Sequence, residues 1–146
     1  MTSDVLPASA IRFNVPAADW REAVRAAGDS LVTAGTTTDE YTDQMIEAIE
    51  NLGPYIVVAP GFALAHARPS EAVLRTGLSW ISLAEPVEFG SELNDPVTLV
   101  VGLAALDHDS HLEVMSKLAR VLTNPDMLAR LRASEDAEQI RAELLG

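Results

Sequence analysis

The stretch VTLVVGLAAL, Val97 to Leu106, limits what this chain can fold into more than any other. It is nearly continuously apolar, so a strand made from it offers no face to water. Such a strand belongs at the centre of a sheet that is covered on both sides. The run is also far short of the roughly 18 apolar residues a transmembrane helix needs. The chain must therefore supply helices for both faces of a sheet.

It supplies them on either side of that run. Ile11, Phe13 and Val15 alternate with Arg12 and Asn14, which predicts a short strand over Ile11–Val15. Residues 1–9 before it read as a loose tail. Asp19 and Glu22 form a cap with its reciprocal partner, opening a helix from about Asp19 to Ala34. Thr37 and Glu40 repeat the pattern for a second helix running to Leu52, with Tyr41, Met45, Ile49 and Leu52 on its inner face. Tyr55–Val58 reads as a buried strand and Gly77–Leu83 as another, with loop, or a short edge strand at Val87–Phe89, before the central run. Beyond it, Ser110 and Glu113 form a third capping box. That places His111 at the first helical position, with Leu112, Met115, Leu118, Ala119 and Leu122 inward. Asn124-Pro125 starts a helix to about Leu131, and Ser134 starts the last, with Ile140 and Leu144 inward. The expected fold is a single α/β domain: a mixed β-sheet of about four to five strands flanked by helices.

Composition removes several function classes. The net charge of −12 disfavours nucleic acid and anionic membrane surfaces. With no cysteine there is no thiolate nucleophile, disulfide or cysteine-held zinc. The N-terminus has neither the basic nor the apolar region of a signal peptide, so the expected location is cytoplasmic. No glycine-rich phosphate loop or nucleophile-elbow serine is present. No cofactor or metal is called for.

The chemistry then rests on three histidines, His66, His108 and His111. His66 ends an apolar run, APGFALAHARP, beyond a strand, where α/β folds place ligands. Apolar surroundings favour a neutral imidazole, which is a competent nucleophile toward phosphorus. Arg68 can pair with phosphoryl oxygens. A plainer reading also fits: a core-edge histidine bonded to a carbonyl, with Arg68 as a surface charge. His111 at a helix N-terminus is either a hydrogen-bond donor to an anion or a simple capping histidine. His108 reads as an exposed loop residue. His108 and His111 with Asp107 and Asp109 also sketch a weak metal site.

PGFALAHARP, followed by PVEFG and NDPVTLVVGLAALDHDSHLEVMSKLARVL, resembles the enzyme IIA domain of the bacterial phosphoenolpyruvate-dependent sugar phosphotransferase system, mannitol–fructose type. The likeness is strongest to the ascorbate class and covers the chain from about Asp19 to its end. It implies a mannitol IIA-like fold in which His66 is the phosphorylated residue and His111 supports it by hydrogen bonding. Arg68 falls where the family often has a polar or basic residue near the phosphate. The implied partners are the phosphocarrier protein HPr as donor and an enzyme IIB as acceptor, feeding a membrane IIC transporter. A regulatory phosphohistidine module of the nitrogen-regulatory branch and a histidine–carboxylate metal hydrolase are the alternatives. Phe62 and Leu64 are candidates for an apolar docking rim, and the chain can be a monomer or a homodimer. Where the family often has Pro before the active histidine and Gly after it, this chain has Ala65 and Ala67. That implies a less rigid loop.

Overall fold

The computed structural model describes residues 5–145. Its five strands are β1 (Ile11–Val15), β2 (Val57–Ala59), β3 (Phe62–His66), β4 (Gly77–Val87) and β5 (Val97–Ala104). Its helices are α1 (Trp20–Thr33), α2 (Asp39–Leu52), α3 (His108–Leu122), α4 (Pro125–Ala133) and α5 (Ala137–Leu145). The strands form one mixed sheet in the order β1-β4-β5-β3-β2. β1 runs parallel to β4 and β3 parallel to β5, while β4–β5 and β2–β3 are antiparallel.

The apolar run of β5 is interior to the sheet and is used on both faces. Val100 and Ala104 pack with α1 and α2, whereas Leu99, Val101 and Leu103 pack with α3, α4 and α5. Gly102 lies on the α1 side. A Cβ there would stand 2.5 Å from Ser79 Oγ and 3.3 Å from a Leu31 methyl. Ser79 Oγ in turn donates to the Ala27 carbonyl of α1 at 2.8 Å. The missing side chain thus lets α1 sit close on the sheet.

Local capping accounts for the helix starts. Asp19 accepts from the Glu22 N–H, and Asn124 accepts from the Met127 N–H with Pro125 behind it. Each such cap is worth about 1 kcal/mol. Other boundaries differ from the sequence expectation. Thr38, not Thr37, stands at the N-cap position of α2 and makes no side-chain cap bond; Thr37 is buried and bridges to Val73. Asp107 caps α3 in place of Ser110, so His111 lies one turn inside the helix. The buried face of α3 is Val114, Leu118 and Val121, leaving Leu112 and Ala119 exposed. Before α5 it is Asp136, not Ser134, whose carboxylate accepts from the Glu138 and Gln139 N–H groups.

Three further expectations are corrected. Residues 5–9 are no loose tail: Leu6 is fully buried, the Val5 carbonyl accepts from Leu78, and Arg141 donates to the Leu6 carbonyl. The rest of that segment lies outside the described residues. The predicted buried strand Tyr55–Val58 is instead the short edge strand β2, with Tyr55 and Val58 partly in solvent. β4 continues to Val87 and ends there, so Glu88 and Phe89 of the expected edge strand belong to no strand.

Candidate active site

His66 is the last residue of β3 and stands opposite Leu103 in the parallel register with β5. The site therefore lies beyond the carboxyl ends of two neighbouring parallel strands. Alternation along β3 sends Phe62, Leu64 and His66 to the face that α3 covers. Phe62 and Leu64 are buried in that layer, so neither forms a docking rim; only His66 is far enough along to reach the opening.

The His66 ring is fixed by its own strand. Nδ1 lies 2.8 Å from the Leu64 carbonyl oxygen. A carbonyl can only accept, so Nδ1 carries a proton, and in the neutral ring that leaves the Nε2 lone pair free. The carbonyl-bonded histidine of the plainer reading is thus present, and it is compatible with a nucleophilic ring. Tyr55 meets His66 edge-on, with centroids 5.4 Å apart and planes at 84°, and its hydroxyl donates to the His66 carbonyl at 3.1 Å.

His111 comes from the other side. β5 ends at Ala104, and Asp107 then caps α3 by accepting from the Ser110 N–H at 2.8 Å. Hydrogen bonds from the Ser110 backbone and side chain hold the Asp107 carboxyl below its usual range. This start places the His111 ring 6.3 Å from that of His66, centroid to centroid. The His111 N–H is already spent on the Asp107 carbonyl, so only its ring is available to the site. Partial burial, then the nearby His66 and His108, push the His111 pKa below the ordinary value.

Around these rings is an open cleft of about 830 Å³. One wall is α2, including Glu47, Asn51 and Leu52; the other is the start of α3. Leu52, expected to point inward, is 71% exposed here and supplies apolar rim together with Tyr55. Arg68 lines the same cleft, exposed and without an ion pair among the described residues. His108 is exposed at its edge, as the first residue of α3. Among the described residues no group of three or more histidine and carboxylate side chains is gathered to hold a metal. No described helix is long and apolar enough to cross a membrane.

Sequence reasoning missed the tyrosines. Tyr41 is fully buried on α2; its hydroxyl donates to the Leu103 carbonyl at 2.7 Å and accepts from the Ala67 N–H at 3.0 Å. The segment flanking His66 is therefore tied down despite its alanines, and the Ala67 N–H is not free for a phosphate. A tyrosine on an apolar helix face gives one usable signal, since a buried hydroxyl needs a partner.

An open cleft at the ends of parallel strands, lined by two neighbouring imidazoles and one guanidinium, is suited to group transfer rather than to enclosing a small molecule. The chain belongs to the EIIA 2 family of the phosphoenolpyruvate-dependent sugar phosphotransferase system, which it matches over residues 4–145. It is a phosphotransferase, a phosphoryl-relay component of such a system. The ascorbate-specific EIIA component of Salmonella choleraesuis is 37% identical over 133 residues, spanning 90% of this chain and 86% of that protein. The enzyme IIA of Escherichia coli solved in complex with phosphorylated enzyme IIB of the mannitol system is 30% identical, with a TM-score of 0.83 over 96% of both chains. The nitrogen regulatory protein IIA of Neisseria meningitidis is 26% identical, with a TM-score of 0.77 over 96% of both chains.

Proposed function

We propose that the chain accepts a phosphoryl group on His66 Nε2 from phosphorylated HPr and passes it to an enzyme IIB, serving an ascorbate-type transporter from the cytoplasm. The observation that carries this reading is the 2.8 Å contact of His66 Nδ1 with the Leu64 carbonyl, which in the neutral ring leaves the Nε2 lone pair facing the cleft. The Nε2 lone pair attacks phosphorus as the bond from phosphorus to the donor breaks, and that electron pair returns to the donor. Transfer onward reverses these roles. The Nδ1 proton stays in place throughout, and its hydrogen bond to Leu64 stabilises the positive charge that develops on the ring.

Each neighbour has a role in this reading. His111, its charge disfavoured by burial, donates a hydrogen bond to a phosphoryl oxygen. Arg68 supplies positive charge to the same oxygens. Leu52 and Tyr55 form the apolar rim on which a partner docks transiently. The membrane IIC component is reached only through IIB. The ascorbate relatives, at 37% identity against 26% for the nitrogen-regulatory structure, favour a transport relay over a regulatory module.

Incubation with labelled phosphoenolpyruvate, enzyme I and HPr tests this. The wild-type chain should take up an acid-labile, base-stable label and His66→Gln none. Label retained by His66→Gln contradicts the reading.

A further inference from the structure

Building on the relay reading, we infer that Tyr41 is a positioning residue for phosphoryl transfer: its hydroxyl locks the backbone after His66 and so sets where Arg68 stands. Tyr41 projects from α2, while the atoms it binds belong to β5 and to the residue just beyond β3. It accepts from the Ala67 N–H at 3.0 Å and donates to the Leu103 carbonyl at 2.7 Å. Leu103 is the β5 partner of His66 in the strand register. One hydroxyl thus closes the end of the β3–β5 pairing, just where the regular ladder stops and the chain turns out toward Arg68.

The chemistry suits a fixed clamp. Burial raises the Tyr41 pKa to about 12, so the hydroxyl keeps its proton and donates at any working pH. Without it the part-buried Ala67 N–H and the buried Leu103 carbonyl would each lose this bond. Arg68 is the next residue after the clamped Ala67, and its side chain has no partner among the described residues to orient it. Its position over the cleft therefore depends on the backbone that carries it. Tyr55 holds the carbonyl of His66 in the same way, but from the exposed side. Tyr41 itself lines no part of the cleft and touches no transferred group.

The test is a double-mutant cycle on transfer from phosphorylated HPr, using Tyr41→Phe, Arg68→Ala and the pair. Tyr41→Phe removes one oxygen and keeps the ring in the core. It should slow transfer about tenfold through kcat with little change in KM for HPr, and the pair should be no slower than Arg68→Ala alone. Multiplicative losses, or a Tyr41→Phe rate within twofold of wild type, overturn the inference. A second measurement needs no variant: the Ala67 amide of the wild-type chain should be protected from hydrogen exchange both before and after phosphorylation. Exchange at an unprotected rate in the phosphorylated form also overturns it. Failure of the relay reading looks different, because then the wild-type chain takes no phosphoryl group from HPr.

Discussion

Nδ1 of His66 lies 2.8 Å from the carbonyl oxygen of Leu64, two residues back on the same strand. Strand geometry sends both side chains to one face, and the ring folds back on its own backbone. The contact leaves one nitrogen for chemistry and keeps the other as a donor. In the proposed relay a single strand end thus specifies both the site of reaction and, in the neutral ring, its tautomer.

Removing the second imidazole should separate catalysis from folding. His111→Ala takes away a half-buried ring at the cleft, not a core residue. Loss of one hydrogen bond to a charged phosphoryl oxygen costs about 1.5–3 kcal/mol, which is roughly a 10- to 100-fold slower transfer. Rapid-mixing assays with phosphorylated HPr measure the rate, and thermal melting should show the fold intact. Collapse of the melting transition would mean a structural His111.

The pH behaviour of His111 follows from its surroundings. Burial first, then His66 and His108, lower its pKa from 6.5. The unfolded chain therefore binds this proton at a higher pH than the folded one. The stability linked to His111 is complete above about 6.5 and is lost as pH falls through the lower folded value. A histidine NMR titration should place its midpoint below 6.5 in the unphosphorylated protein. After phosphorylation of His66 the midpoint should rise, because a phosphate with negative charge then faces the ring. An unchanged midpoint would show that the two groups do not face each other in the phosphorylated state.

Gly102 tests how the sheet receives α1. The Cβ of Gly102→Ala would fall 2.5 Å from Ser79 Oγ, close to Leu31 and Ala27. Ser79 is held by its bond to Ala27, so relief requires α1 to move. Overpacking of this kind costs about 1–3 kcal/mol. Urea unfolding should show the loss as a lower midpoint with an unchanged slope. Gly102 also pairs with Ala65, next to His66, so a displaced sheet should be felt in the transfer rate too.

Features set by local chemistry were legible in the sequence. The Asp19–Glu22 box, Asn124-Pro125, the Ile11–Val15 strand and the two-faced run of β5 all depend on neighbours within a few residues. What failed depended on the arrangement of distant segments. Both Asp107 and Ser110 can cap a helix, and the choice falls to the first capping side chain after β5 leaves the sheet. Phe62 and Leu64 are buried because β3 lies between β5 and β2 with α3 to α5 above it, an order that no spacing reveals. Leu52 is exposed because α2 ends at the cleft. His66, Arg68 and His111 were picked out by residue type and by likeness to the family, and they do line one cleft. The Tyr41 clamp was not visible, since its partners are backbone atoms brought in from β5 and from the residue just after β3.

In the proposed relay, Nε2 of His66 carries the phosphoryl group while Nδ1 keeps its proton. Phosphorus–nitrogen couplings in the histidine-labelled, phosphorylated protein measure this directly. The coupling should be to Nε2 of His66, with the Nδ1 proton still hydrogen-bonded. Phosphorus on Nδ1, or on any residue other than His66, would contradict it.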